Sequence, residues 1–282
     1  MSPSPRRRAE HLNDLDAKEW VRATRSWFTC DGRPGSVTPE VERHPASFPP
    51  EVPERFIRFF THAGNTVLDP FLGSGGTLVA CALTGRRGLG VELSERYCAA
   101  SRERLRRLPL PPADEGGDPP EPVILCADTR ELLSLGLGPV DYCFTSPPYW
   151  DMLRHSRGNA DSVHRERAEE GLDCVYSGDE RDLGNIAAYE EYLEALAHVF
   201  DQVDALLRPG KYATLVMQNI RTREGEMAPL AWDVARRLRR VWRLRQETIW
   251  CQNNKRLGCW GYPTTFVSNV HHHYCLTFQK DR

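Results

Sequence analysis

The run Thr145-Ser146-Pro147-Pro148-Tyr149-Trp150 combines a hydroxyl, two consecutive prolines and an aromatic ring. Two prolines fix the backbone and remove two N–H donors, which leaves carbonyl oxygens free to accept. With Ser146 as a second acceptor and Tyr149 as a stacking platform, such a run would hold a planar ring bearing an amino group. Accepting the amino hydrogens would turn the nitrogen lone pair toward an electrophile. Read alone, the run is equally an ordinary Pro-Pro turn with a packing tyrosine, so its meaning depends on its neighbours.

A second run, Asp69-Pro70-Phe71-Leu72-Gly73-Ser74-Gly75-Gly76-Thr77, follows a short β-branched stretch and opens a helical one. Glycines there permit a tight turn and close approach of a ligand to the backbone. The free N–H groups of the helix that follows point at whatever is bound. Glu92 closes the next strand pattern about twenty residues on, where an acid holds ribose hydroxyls in nucleotide folds. The Gly-Lys-Ser/Thr of a phosphate loop is missing, and Asp69 would repel phosphate but receive an ammonium group. Asp128, after the third strand pattern, is placed either to accept from an adenine amino group or to cap the helical stretch 129–133. S-adenosylmethionine meets these demands, having an ammonium, a ribose diol and an adenine but no phosphate.

The elements that must position these residues alternate. Strand patterns fall at 66–68, 88–93, 123–126, 140–145, 212–217, 244–250 and 274–278. Helical patterns fall at 75–84, 94–108, 186–207 and 228–240. Seven strands interleaved with helices predict an α/β, Rossmann-like, mainly parallel sheet with helices on both faces. Residues 109–122 read as a Pro/Gly/Asp-rich connector and 150–185 as a long polar insertion. Residues 1–47 form an N-terminal extension and 48–282 one catalytic domain, with no internal repeat.

The chain has 282 residues, 40% hydrophobic and 27% charged, with a formal net charge of −2. That balance suits a soluble cytoplasmic protein and argues against a generic polyanion binder. Arginines cluster at 6–8 and 236–245, and acids at 114–121 and 166–182; a single such run is ordinarily a solvated face. No apolar run is long enough for a bilayer, and no secretory signal opens the chain. The nine cysteines are scattered, without a C-x-x-C pair. Cys81, Cys126, Cys143 and Cys275 read as small core residues. Cys251 and Cys259 beside His271, His272 and His273 match no standard zinc spacing, so no metal is expected and the histidines read as the opening of a strand.

The segments DPFLGSGGT (69–77), GVEL (90–93) and TSPPY (145–149) resemble those of the amino-methyltransferases that modify cytosine N4 or adenine N6 in DNA. The resemblance extends from about Phe48 to the last strand, and residues 48–60 are similar to the family helix preceding the cofactor strand. It implies an S-adenosylmethionine-dependent methyltransferase fold with cofactor contacts from Phe48, Asp69, Pro70, Phe71, Gly73, Gly75, Thr77, Glu92, Leu93, Asp128 and Thr145. It also implies that a base of double-stranded DNA flips out onto Tyr149, its amine oriented by Ser146 and the Pro147 carbonyl, with Pro148 completing the motif. In that family Ser-Pro-Pro-Tyr leans toward cytosine N4 and Asp-Pro-Pro-Tyr toward adenine N6, so cytosine N4 is the expectation. Cys143 lies inside the strand, short of the motif, and reads as core rather than as a nucleophile.

One departure is that no separate target-recognition region is evident. Recognition would fall to residues 12–28, 150–184 or 253–269, or to a second copy of the chain in a homodimer, and a cognate restriction enzyme is the partner the resemblance suggests. The same chemistry on an RNA base, glutamine methylation and a catalytically dead nucleic-acid-binding subunit are the rivals. Glutamine methylation is disfavoured because Ser146 stands where those enzymes carry asparagine, and the dead subunit because both motifs are intact.

Overall fold

Short apolar runs alternating with amphipathic stretches build one large sheet with helices on both faces. The structure, a computed structural model, describes residues 11–32, 48–108, 121–150, 179–222, 225–255, 257, 263–264 and 268–282. The arginines at 6–8, Cys174 and Cys259, and most of the 109–122 connector and the 150–185 insertion lie outside the described residues.

In chain order the elements are α1 (Ala17–Ala23), β1 (Trp27–Thr29), α2 (Glu51–Phe60), β2 (Thr66–Asp69), α3 (Gly76–Leu83), β3 (Arg87–Glu92), α4 (Glu95–Arg106), β4 (Val123–Cys126) and β5 (Val140–Thr145). They continue through α5 (Tyr189–Leu206), β6 (Leu207–Met217), β7 (Ile220–Arg221), β8 (Met227–Ala228), α6 (Leu230–Leu238), β9 (Trp242–Cys251) and β10 (His272–Lys280), with short 3-10 stretches at Thr129–Leu135 and Leu183–Asn185. The sheet order is β1-β9-β10-β6-β5-β2-β3-β4, while β7 and β8 form a separate hairpin. All pairings in the large sheet are parallel except those of β10 with β6 and β9.

The sheet has eight strands rather than the expected seven. The eighth is β1, whose Trp27, Phe28 and Thr29 pair with Ile249, Trp250 and Cys251. A run of three residues has too few alternations to show a period, so its strand character comes from the open edge of β9. The segment before it is tied down as well. Asn13 donates to the Phe59 carbonyl, and Asp14 meets both His62 and Arg86. A second difference is that the expected helix 186–207 and strand 212–217 have no connector between them. The strand β6 starts directly at Leu207, and Gly210 takes a left-handed conformation within it.

Strand alternation splits the core between the two faces. Leu68, Cys143, Leu215 and Leu276 join α5 and α6 on one face; Val67, Tyr142, Phe144, Val216 and Cys275 join α2 on the other. The helix α5 buries Tyr192, Leu193, Leu196, Val199, Phe200 and Val203 at helical spacing, and α2 buries Val52, Phe56, Ile57 and Phe60. Cys81, Cys143 and Cys275 are buried as expected, but Cys126 is exposed, because it ends β4 where the sheet runs out. The helix–strand spacing thus brings the C-terminal ends of β2, β3, β4 and β5 together, and both chemical runs lie at those ends.

The turn after β2 depends on Gly75, whose φ is +82°. A Cβ there would lie 2.9 Å from Ser101 Oγ and 3.0 Å from Ser101 Cβ on α4. Ser101 in turn donates to the Gly73 carbonyl at 2.9 Å, so it has little room to withdraw. Gly75→Ala is therefore expected to destabilise the protein by about 2 kcal/mol or more, read from urea denaturation. A loss below about 0.5 kcal/mol, the range of a neutral surface change, would mean that the turn is more plastic than this packing allows.

Candidate active site

The turn 69–77 is organised by Asp69, which is completely buried. Its Oδ1 accepts from the Phe71 N–H at 3.0 Å and from Thr145 Oγ1 at 2.6 Å, and its Oδ2 accepts from Thr77 Oγ1 at 2.5 Å. One carboxylate therefore fastens the glycine turn, the first turn of α3 and the end of β5 to each other. Burial raises its pKa to about 6, against the lowering effect of those three donors.

Above this carboxylate lies a cavity of about 850 Å³, counted with its open mouth. Pro70, Phe71, Gly73 and Phe48 line it on one side, Glu92 and Leu93 at the end of β3, and Asp128 after β4. Ser146, Pro147 and Pro148 line the same cavity. Asp69, Gly75, Thr77, Thr145 and Tyr149 do not reach it. The first four shape the turn from below, and Tyr149, only 4% exposed, is packed in the core.

Glu92 stands at the cavity wall with Oε2 accepting from the Gly73 N–H and Oε1 from the Ser94 N–H, both at 2.8 Å. Burial raises its pKa above the usual glutamate range, and the charges of Asp182 and Asp69 add to the rise. Asp128 accepts from the Arg130 backbone N–H at 2.9 Å and pairs with the Arg130 guanidinium at 2.6 Å. It therefore caps the following 3-10 stretch and also lines the cavity.

Sequence reasoning missed Thr129, Arg181, Asp182 and Leu183, which also line the cavity. Arg181 pairs with Asp179 at 2.6 Å, and Asp182 caps the 3-10 stretch Leu183–Asn185 by accepting from the Gly184 N–H. These residues end a long polar stretch without periodicity, so nothing in the sequence tied them to the cavity. Thr129 had a signal in its adjacency to Asp128.

In the motif after β5, the Ser146 hydroxyl donates to the Val216 carbonyl at 3.2 Å, and so does the Tyr149 hydroxyl. Tyr192 on α5 donates to the Pro148 carbonyl at 2.7 Å. The Pro147 carbonyl receives no donor among the described residues, which leaves it able to accept. The arginines of α6 and β9 are a different matter. Arg237 pairs with Glu190 and Glu194, Arg240 with Asp201 at 2.8 Å, and Arg243 with Asp281 at 2.6 Å. Those arginines form a charge-balanced outer face.

The residues fit S-adenosylmethionine. The described lining carries three carboxylates, Glu92, Asp128 and Asp182, and one cation that is already paired. That suits a ligand with positive charge and no phosphate. The buried Thr129 Oγ1 has no hydrogen-bond partner among the described residues, a cost that a polar ligand in the cavity would relieve.

The sequence profile of the family N6_N4_Mtase, described as DNA methylase, matches residues 6–103. Over those residues the chain is similar to DNA methylases of that family. It is 49% identical over 67 residues to the type II methyltransferase M.MjaI of Methanocaldococcus jannaschii, covering 24% of this chain and 22% of that one. It is 37% identical over 81 residues to the orphan methyltransferase M.BamHII of Bacillus amyloliquefaciens, covering 28% and 31%. The matches thus span less than a third of those relatives. The solved structure of TrmN from Thermus thermophilus superposes with a TM-score of 0.50 at 18% identity, covering 84% of this chain and 50% of that one, a likeness of fold. The fold is the Rossmann-like S-adenosylmethionine-dependent methyltransferase fold expected from the sequence, and S-adenosylmethionine is the cofactor that both the relationship and the cavity support. Among the described residues no group of acids, cysteines and histidines could hold a metal ion, and no helix is long and apolar enough to cross a membrane.

Glu92 is the residue whose loss should weaken the cofactor most directly. In Glu92→Gln one oxygen becomes an NH2 facing the N–H of Gly73 or Ser94, and the charge is gone. A charge-assisted hydrogen bond contributes about 1.5–3 kcal/mol, so affinity measured by calorimetry should fall roughly 10- to 100-fold. Unchanged affinity would remove Glu92 from the cofactor contacts.

Proposed function

We propose that this chain transfers a methyl group from S-adenosylmethionine to the exocyclic amine of a base flipped out of double-stranded DNA, with cytosine N4 as the target. One observation carries the reading: the glycine turn with Glu92 and the Ser146-Pro147-Pro148 run line a single cavity. A cofactor held at the turn and an amine held at the prolines would meet there.

When bound, the cofactor supplies an electrophilic methyl on a sulfonium sulfur. The Pro147 carbonyl and Ser146 hydroxyl accept the hydrogens of the target amine and aim its lone pair, and the base stacks on Tyr149 once that ring, packed in the core without the base, turns toward the cavity. Holding the amine in line supplies much of the acceleration. Extruding a base costs a few kcal/mol, offset by stacking and hydrogen bonds in the pocket. Glu92 and Asp128 hold the ribose and the adenine, and Asp69 fixes the turn over which the methionine end lies.

The choice of cytosine rests on serine at position 146 of the Ser-Pro-Pro-Tyr run. Sequence-specific recognition by residues 12–28, 150–184 and 253–269, pairing of two copies, a cognate restriction enzyme and a cytoplasmic setting belong to the same reading.

The test is transfer of a labelled methyl group to unmethylated DNA and, separately, to RNA, with the product nucleosides identified by mass spectrometry. N4-methylcytosine from DNA is the expected product. N6-methyladenine would correct the base, and label confined to RNA would move the chemistry to RNA. No transfer with cofactor bound would overturn the reading.

A further inference from the structure

Histidine 273 stands beside the proposed reaction site without a role in anything described above. It is the second residue of β10 and is held opposite Trp250 of β9, while Cys275, two residues on, pairs with Val216 of β6. The Val216 carbonyl is the acceptor that receives both the Ser146 and the Tyr149 hydroxyls. The strand that carries His273 is therefore paired with β6, the strand to which the motif that would hold the amine is anchored. The imidazole stacks on Trp250, with ring centroids 4.7 Å apart and planes 24° from parallel, and its centroid lies 6.4 Å from that of Tyr149.

The Nδ1 of this ring is shielded from solvent and has no hydrogen-bond partner among the described residues. A buried polar atom left unpaired destabilises a fold, which seldom retains one without a use for it. The ring is uncharged at neutral pH. Its pKa is held down to about 3 by burial first and then by the charges of Lys255 and His272. A neutral imidazole with a free Nδ1 can donate one hydrogen bond in a defined direction. The ring nitrogen bonded to the carbon that bears the amine is an acceptor in both candidate bases: N3 in cytosine and N1 in adenine. Ser146 and the Pro147 carbonyl serve the amine but offer no donor to those atoms.

We propose that His273 is a base-contacting residue, donating from Nδ1 to the ring acceptor next to the target amine; this rests on the base-methylating reading of the site. His273 then selects bases that carry an acceptor beside an amine and fixes the rotation of the ring over Tyr149.

Two substitutions separate this role from packing. His273→Phe keeps a ring against Trp250 and Tyr149 but has no nitrogen. His273→Asn gives up the ring and keeps a donor close to the position of Nδ1. Initial rates of labelled methyl transfer to unmethylated plasmid DNA would be measured for both beside the wild type, with S-adenosylmethionine affinity by calorimetry as the control for folding. The expected result is a fall of about tenfold or more in kcat/KM for His273→Phe, recovery to within about threefold of wild type in His273→Asn, and unchanged cofactor affinity in both. Wild-type transfer with His273→Phe within about twofold of it would overturn the proposal and leave the base-methylating reading standing. So would a loss in both variants alike, which marks a packing role. Absence of transfer by the wild type itself would overturn both.

Discussion

Replacing Asp69 with alanine is expected to cost the fold about 3 kcal/mol or more, besides weakening the cofactor. The Phe71 N–H and the hydroxyls of Thr77 and Thr145 all donate to this carboxylate. Alanine leaves them facing a buried void, and each unsatisfied buried donor costs about 1–3 kcal/mol. The hydroxyls can rotate toward other acceptors, so the lower end of the summed range is the expected one. Urea denaturation measures this directly, and a loss under about 1 kcal/mol would show that the carboxylate does not hold the turn.

The isosteric Asp69→Asn isolates the charge. Burial raises the Asp69 pKa from 3.8 to about 6. A carboxylate whose folded pKa exceeds its unfolded value contributes its full stability below the unfolded value, and that contribution is lost as pH rises through the folded one. Between pH 4 and pH 6 the ligand-free wild type should therefore lose stability relative to Asp69→Asn, by up to roughly 3 kcal/mol. A difference between the two proteins that stays flat over that window would mean that the carboxylate is better solvated than its burial implies.

The sheet and the two chemical runs were legible because each rests on a local signal. The runs 66–69, 87–92 and 140–145 are short and apolar, the turn is rich in glycine, and α5 has a clear helical period. What was not legible came from tertiary context. The strand β1 exists because β9 offers an edge, and the Arg181–Leu183 wall of the cavity comes from a stretch without periodicity. Residue types alone assigned Asp69 to the ligand. The structure places it beneath the ligand cavity, bonded to two threonines from different elements, Thr77 eight residues away and Thr145 seventy-six. Such a bond over seventy-six residues has no sequence signature. In the same way, the unpaired Nδ1 of His273 emerges only once β9 and β10 are in register.

Tyr149 gives the other large effect, and its burial dictates which substitution is informative. Tyr149→Ala should abolish transfer, but it also empties a core position that is 4% exposed. Removing a buried aromatic costs about 3–5 kcal/mol, so loss of activity there would not distinguish a missing platform from a damaged fold. Tyr149→Phe keeps the ring and gives up one hydrogen bond to the Val216 carbonyl. Its stability should fall by about 1 kcal/mol and its transfer rate should stay within about tenfold of wild type. Tyr149→Leu fills much of the same space without a π face. Stacking of a base on an aromatic side chain contributes about 1–3 kcal/mol, so kcat/KM for DNA should fall roughly 5- to 150-fold below that of the Phe variant. Thermal melts on the two proteins bound to cofactor would show whether both are folded. If both are, and the Leu variant matches the Phe variant in transfer, then the Tyr149 ring is a packing element, and the base rests on residues of the cavity wall instead.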